Sequence, residues 1–317
     1  MKVLVTTTSF LKPENEKAKQ ALEAFADEVV YNTAGIPLEG DALLEMLDGV
    51  DAYIAGLDYI TADVVERMPA SLRVISRYGV GVDRVDIPAC TKRGIKVTNT
   101  PGANAVAVAE LAFSLMMSVA RDIPGLSKKM EAGQWPRSVG TELCGKTLGI
   151  VGLGAIGKKL AVRARAFEMD VLAYDPFFDE DFAHRHGVRQ AELDMLLQHS
   201  DFISLHVPLN EHTRHMVNKN CISTMKQGAI IVNTARGGLI DEAAAAEAVK
   251  SGKLRGLGLD AFEQEPLLNS PLVGVPGVVL TPHTGALTKE AVANMGNMAV
   301  ENAIAVLTGA ECKYLVN

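Results

Sequence analysis

Short runs of aliphatic and β-branched residues alternate with runs of helical periodicity along nearly the whole chain. In the first third, the apolar runs at 3–7, 29–32, 52–56, 73–78 and 96–99 read as strands. Helical patterns separate them at about 14–26, 40–48 and 61–68. The middle repeats the theme more strongly, with strands predicted at 147–152, 171–175, 202–207, 229–234, 256–260 and 278–281. Helices fall between them at about 155–168, 191–199, 219–226 and 241–251. These strands are apolar nearly without interruption. Such strands have both faces covered, and their alternation with helices predicts parallel sheets.

Two such sheets fit the chain. A turn-rich segment, Asn99-Thr100-Pro101-Gly102, marks the cut between them. The longest apolar stretch follows, from Ala103 to Ala120, and Glu110 interrupts it. A buried helix explains it better than a membrane span. The last helical stretch, 287–309, follows the final strand and is expected to return to the first domain. The expected fold is therefore α/β, with two Rossmann-like or flavodoxin-like parallel-sheet domains and a cleft between them. The first domain is discontinuous, 1–100 with 287–317, and the second is 101–286.

Length and composition agree with this. At roughly 150 residues per domain, 317 residues make about two domains. Hydrophobic residues at 48% and charged residues at 22% are ordinary for a globular protein and exclude a disordered one. The net charge of −7 and 5% aromatic content argue against nucleic acid and anionic membranes as partners. Cys90, Cys144, Cys221 and Cys312 form no CxxC pair, which speaks against a disulfide framework or a zinc site. The N-terminal apolar run is too short for a signal peptide, so a cytoplasmic protein with reduced thiols and no bound metal is expected.

The sharpest chemical signal is Gly149-Ile150-Val151-Gly152-Leu153-Gly154-Ala155-Ile156-Gly157, a strand running into G-x-G-x-x-G at the start of a helix. Gly152 permits the tight turn, Gly154 lets the backbone approach a pyrophosphate, and Gly157 lets helix and strand pack closely. The helix N-terminus adds free N–H groups. The next strand ends in Asp175, whose carboxylate suits the two ribose hydroxyls and repels a 2′-phosphate, so NAD is favoured over NADP. The competing reading, an acidic turn residue before Pro176, is the weaker of the two.

Three further candidates end predicted strands. Arg236, in Asn233-Thr234-Ala235-Arg236-Gly237-Gly238, has the fork-shaped charge that suits a carboxylate, although a structural salt bridge is the commoner fate of an arginine. Asp260-Ala261-Phe262-Glu263-Gln264-Glu265-Pro266 crowds carboxylates into one loop, which an acidic surface loop also explains. His283 sits in the turn Thr281-Pro282-His283-Thr284-Gly285-Ala286. His184, His186, His199, His212 and His215 read as solvated, and His206 ends a strand beside Val207 and Pro208. In open parallel sheets ligands bind beyond the carboxyl ends of the strands, and Asp175, Val207, Arg236, Asp260 and His283 all fall there.

With these motifs in place, the chain resembles the D-isomer-specific 2-hydroxyacid dehydrogenases, and within them the phosphoglycerate dehydrogenase branch. The resemblance rests on Gly-Val-Gly-Val-Asp at 79–83, Asn-Thr-Pro-Gly at 99–102, Val-Ala-Glu at 108–110 and the glycine-rich run at 145–157. It continues through Asn-Thr-Ala-Arg-Gly-Gly at 233–238, Glu-Gln-Glu-Pro at 263–266 and Thr-Pro-His-Thr-Gly at 281–285. It implies a catalytic set of Arg236, Glu265 and His283. It also implies an NAD site built from Gly152, Gly154, Ala155, Ile156, Gly157, Asp175, Val207, Pro208, Thr234, Ala235, Arg236, Asp260, His283, Gly285 and Ala286. The substrate would be held by Arg77, Tyr78, Gly79, Val80 and Gly81 together with Arg236 and His283. The implied activity is interconversion of a D-2-hydroxy acid and its 2-keto acid with NAD. Asp260 matches a position that contacts the nicotinamide carboxamide.

The same resemblance bears on substrate and assembly. Arg77 suits a distal phosphate, whereas Ala55-Gly56-Leu57-Asp58-Tyr59 lacks the arginine that many members carry there, and Asp58 would repel a phosphate if it faced it. Phosphoglycerate stands first, hydroxypyruvate or glyoxylate next, and an NAD(H)-sensing corepressor-like protein is the reading from another class. Trp135 and Arg137 lie in the arm that the family uses to form a homodimer, and Arg137 can reach a partner's anion site from there. The chain stops soon after its last helix, so feedback through a C-terminal regulatory domain is not expected.

Overall fold

The run Ala-Ile-Ile-Val-Asn at Ala229–Asn233 buries every residue. Ile230 and Val232 enter one hydrophobic core, while Ala229 and Ile231 enter another. A strand buried on both faces needs helices on both sides of its sheet. The computed structural model, which describes residues 1–317, meets that need in two compact units, Met1–Asn104 with Leu287–Asn317, and Ala105–Ala286.

The first unit contains β1 (Lys2–Val5), β2 (Glu28–Tyr31), β3 (Ala52–Ala55), β4 (Val74–Arg77) and β5 (Lys96–Thr98), all parallel, in the order β2-β1-β3-β4-β5. Its helices are α1 (Glu16–Phe25), α2 (Gly40–Met46), α3 (Ala62–Arg67), α4 (Ile87–Lys92) and the C-terminal helix Lys289–Thr308. The C-terminal helix is fastened to β4 and the loop beyond it. The Ser76 hydroxyl donates to the Ala299 carbonyl at 2.8 Å, and the Tyr78 hydroxyl donates to the Val292 carbonyl at 2.8 Å. Leu4, Tyr53, Ile75 and Val97 form the centre of a core with Leu43, Leu47, Val64 and Val65 from α2, its C-terminal end and α3.

The second unit opens with α5 (Ala105–Arg121) and α6 (Ile123–Glu131). There follow β6 (Thr147–Val151), α7 (Ala155–Ala166), β7 (Asp170–Tyr174), α8 (Glu180–His186), β8 (Val188–Gln190), α9 (Leu193–His199) and β9 (Phe202–Leu205). The rest is α10 (Lys219–Thr224), β10 (Ala229–Asn233), α11 (Glu242–Lys250), β11 (Leu254–Leu259) and β12 (Val278–Leu280). Its strands run β12-β11-β10-β9-β6-β7-β8, all parallel. The chain leaves β6 toward β7 on one side and continues from β9 on the other. That reversal opens a crevice at the carboxyl ends of β6 and β9. The apolar stretch that precedes β6 is indeed a helix, with Ala109, Ala112, Met116 and Ala120 fully buried against the sheet. No helix is long and apolar enough to cross a membrane.

Four elements lie outside the expected pattern: α4, α6, α8 and β8. β8 is an edge strand with only Val188 buried, so it lacks the apolar run that marks its neighbours. α4 is a single short stretch started by Pro88 and capped by Asp86, too brief for a periodicity to show. α6 buries no residue at all, and neither Trp135 (76% exposed) nor Val139 (90% exposed) beyond it is covered.

Candidate active site

The glycine-rich loop after β6 has the geometry of a phosphate cradle. Gly152 has φ of 100°, in the region that favours glycine, and a Cβ there would lie 2.7 Å from the His206 carbonyl oxygen. Gly154 borders open space and is the N-cap of α7, with no side chain bonded to the free N–H groups of that helix. An uncapped helix start beside bare backbone suits an anion. Asp175, at the end of β7, accepts hydrogen bonds from the Leu153 N–H at 2.7 Å and the Phe177 N–H at 2.8 Å. It therefore fixes the glycine loop as well as presenting a carboxylate at the rim.

The strand ends beyond the reversal come next. His206 donates to or accepts from the Ser204 hydroxyl at 2.8 Å through Nε2, while its Nδ1 is buried without a partner. Burial pushes this imidazole down to about 4. Val207 is half-buried and Pro208 exposed. After β10, the Asn233 side chain closes the turn by accepting from the Ala235 N–H at 3.0 Å and donating to the Arg236 carbonyl at 2.8 Å. Thr234 is 8% exposed with an unpartnered Oγ1. The half-buried Arg236 guanidinium donates to the Ala235 carbonyl at 2.7 Å.

His283 and Glu265 meet. The imidazole Nδ1 lies 2.8 Å from Glu265 Oε1, which also accepts from the Phe262 N–H at 3.2 Å. The Arg236 turn is pressed onto this same loop: a Cβ on Gly237 would fall 1.8 Å from the Phe262 carbonyl carbon, so only glycine fits. Asp260 is 1% exposed and holds the His283 turn. It accepts from the Thr281 hydroxyl at 2.7 Å and from the N–H groups of Thr284 and Gly285 at 2.8 Å each. Its two oxygens thus serve the turn that carries His283. Ala286, one residue on, is half-buried.

The arrangement is a histidine with one ring nitrogen on a carboxylate and the other available, a guanidinium on the adjoining turn, and an open phosphate cradle on the same strand-end rim. A model of the D-isomer specific 2-hydroxyacid dehydrogenase family, NAD binding domain, matches residues 113–285. The chain belongs to that family. It is 42% identical to the D-3-phosphoglycerate dehydrogenase of Methanocaldococcus jannaschii, over 100% of this chain and 59% of that protein. It is 44% identical to the hydroxypyruvate reductase of Thermotoga maritima, over 89% of this chain and 93% of that protein. The crystal structure of a Thermus thermophilus protein superposes with a TM-score of 0.90 at 38% identity, covering 100% of both chains. The chain thus spans little more than half the length of the phosphoglycerate dehydrogenase and nearly all of the reductase.

In this dehydrogenase-family chain the residues fit a dinucleotide. Gly152, Gly154, Ala155, Ile156 and Gly157 offer the cradle, Asp175 the ribose acceptor, and the Thr234 hydroxyl a polar atom with no partner of its own.

The first unit holds the other candidates. Arg77 is 4% exposed, and its guanidinium donates to the Ala55 carbonyl at 2.6 Å and the Gly81 carbonyl at 3.1 Å. It braces the loop Tyr78-Gly79-Val80-Gly81. Tyr78 is buried, with its hydroxyl engaged on Val292 and Asn15, while Val80 at the tip is exposed. Asp58 does not face outward. It is 2% exposed and accepts from the Thr6 and Tyr53 hydroxyls and from the Leu38 and Gly56 N–H groups, so it is walled in. Burial, then the Asp58 carboxylate, lifts the Tyr53 phenol well above its ordinary range.

Two features are not visible in the sequence. Arg84 lies over the Tyr59 ring, 4.6 Å from its centroid, and donates to the Leu57 carbonyl at 2.8 Å. A cation therefore stands beside the 55–59 segment although the segment contains none. His215 reads as solvated in the sequence and is 43% exposed, and in addition its Nε2 lies 2.8 Å from Glu263 Oε1. Nothing in a polar His-Thr-Arg-His stretch signals that contact.

Proposed function

We propose that this chain is an NAD-dependent D-2-hydroxyacid dehydrogenase of the 3-phosphoglycerate dehydrogenase kind. The observation that carries the reading is the His283–Glu265 pair at 2.8 Å, on a loop packed against the Arg236 turn. NAD bound on the glycine cradle supplies or accepts the hydride. In reduction, His283 gives a proton from Nε2 to the keto oxygen, and Glu265 holds the Nδ1–H that fixes the ring. In oxidation, the same nitrogen takes the hydroxyl proton. Arg236 orients the substrate carboxylate and offsets the charge that develops on the oxygen. The N–H groups of the 79–81 loop give the carboxylate further donors.

Arg84 supports an anionic distal substituent, because it sets a guanidinium at the exposed rim of the first unit's 55–59 loop. The second reading, a hydroxypyruvate or glyoxylate reductase, is favoured by Arg77, whose guanidinium is turned back onto the backbone. The test is NADH oxidation with phosphohydroxypyruvate, hydroxypyruvate, glyoxylate and pyruvate. A kcat/KM highest for phosphohydroxypyruvate is expected. No turnover of any of them would overturn the enzyme reading in favour of a dinucleotide-sensing interaction protein.

We also propose a cytoplasmic homodimer. The uncovered α6, Trp135 and Val139 support an arm that packs on a second copy, and four unpaired cysteines suit a reducing compartment. Light scattering should give twice the chain mass of 33.8 kDa at micromolar concentration, and a monomer would refute the arm.

A further inference from the structure

The loop that carries Glu265 bears a second carboxylate, Glu263, and that one also meets a histidine. His215 Nε2 lies 2.8 Å from Glu263 Oε1, with both side chains about two-fifths exposed. His215 stands in the connection between β9 and α10, with φ of 50°. Its backbone N–H donates to the Gly238 carbonyl at 2.8 Å, inside the turn that carries Arg236. One residue thus grips both sides of the proposed catalytic set, the arginine turn through its backbone and the glutamate loop through its ring.

The surroundings show what this grip adds. Gly237 already presses the arginine turn onto the Phe262–Glu263 backbone. From the far side, the buried Glu242 at the start of α11 accepts from the Glu263 N–H at 2.7 Å and from the Ser270 hydroxyl at 2.8 Å. Those contacts fix the backbone of residue 263 but leave its side chain to His215. An exposed ion pair adds little to stability. Its place is the informative part: it holds Glu263 two positions along the loop from the carboxylate that faces His283.

We infer that His215 is a positioning residue for the dehydrogenase reaction. By engaging Glu263 while bonded to Gly238, it sets the Glu265 loop against the Arg236 turn. The inference rests on the dehydrogenase reading. Misplacement of catalytic groups by about 1 Å can cost a hundredfold in rate, so a partial loosening should cost about tenfold.

The experiment compares His215→Ala, His215→Gln, Glu263→Ala and the double variant His215→Ala/Glu263→Ala. Alanine and glutamine carry similar strain at this backbone angle, and the glutamine amide can replace the Nε2 donor. Loss of kcat by about tenfold is expected in His215→Ala, with NADH affinity within twofold of the parent protein and most of kcat recovered in His215→Gln. The double variant should be no slower than the slower single one. A kcat within twofold in His215→Ala, or an equal fall in His215→Gln, overturns the inference. Hydrogen exchange of the 260–266 segment gives a readout that needs no turnover: exchange should speed up in His215→Ala and return in His215→Gln, and unchanged exchange refutes the grip. Absence of turnover in the parent protein would instead defeat the dehydrogenase reading, with the exchange data still deciding the role of His215.

Discussion

Asp175 does two things, and a substitution there separates them. Its oxygens hold the Leu153 and Phe177 N–H groups at 2.7 and 2.8 Å, one bond each, leaving a lone pair on each oxygen for a ribose hydroxyl. A 2′-phosphate in place of the 2′-hydroxyl would lose that bond, worth about 1.5–3 kcal/mol when one partner is charged. It would also set charge against charge, about 4 kcal/mol per unit pair at roughly 4 Å and an effective dielectric near 20, reduced by salt at a half-exposed rim. Taken together as about 3–5 kcal/mol, the preference for NADH over NADPH in kcat/KM should be roughly 10²–10⁴-fold. Asp175→Asn removes the repulsion, but its amide offers one acceptor oxygen where the backbone presents two donors. One N–H then loses its partner, at a cost of about 1–3 kcal/mol if it is shielded from water. The variant should narrow the cofactor preference at least tenfold, melt earlier than the parent, and show a weaker salt dependence of the ratio. Equal kcat/KM for the two cofactors in the parent protein would refute the argument, as would a ratio that Asp175→Asn leaves unchanged.

Other consequences can be checked in the same preparation. His283→Ala should lower kcat by roughly 10²–10⁴-fold with NADH binding retained, and a loss under tenfold would remove His283 from proton transfer. Arg84→Ala should cut kcat/KM for phosphohydroxypyruvate by roughly ten- to a hundredfold and spare glyoxylate, as one lost charge-assisted contact predicts; equal losses would make Arg84 structural. His206, held near 4 in the folded chain against an ordinary 6.5, resists a proton that the unfolded chain accepts. Stability should therefore fall as pH drops from about 6.5 to 4 and level off below, by roughly 3 kcal/mol from this group. Denaturant unfolding of parent and His206→Gln at pH 7 and 4.5 checks this, and the same pH slope in both would refute it.

The second unit is the more legible of the two, for a physical reason. Strands such as Ala229–Asn233 are covered on both faces, so burial writes itself as an unbroken apolar run. The turns at their carboxyl ends then stand out as the first polar residues. The pairing of His283 with Glu265 follows only from the family resemblance, since eighteen positions of chain separate them and no local pattern links them. Arg77 shows the opposite limit. Its place beside the substrate loop is plain in the sequence, but whether a guanidinium points outward or folds onto Ala55 and Gly81 is decided by backbone geometry. Arg84 and Tyr59 are brought together by a loop path, and the charge that Arg84 supplies to the 55–59 rim is invisible to a residue count of that segment.

Polar residues at strand ends also serve the fold, which explains why their roles are hard to read singly. Asp175, Asn233 and Asp260 each accept backbone N–H groups of a rim turn. A carboxylate or amide at such a place is what a tight turn needs whether or not any ligand binds, because buried N–H groups must find acceptors. What separates a site from a well-made turn is the group left with capacity once the turn is satisfied. Asp260 has little, since Thr281 and Thr284 share Oδ1, Gly285 takes Oδ2, and the side chain is closed off from the rim by burial. Asp175 keeps a lone pair on each oxygen. His283 keeps a whole ring nitrogen, because Glu265 engages only Nδ1. By this measure we propose that the chemistry belongs to the ring and the ribose recognition to Asp175, while Asp260 acts through the turn it holds. Substitution of Asp260 should therefore disturb the protein through the placement of His283, lowering kcat and melting temperature together.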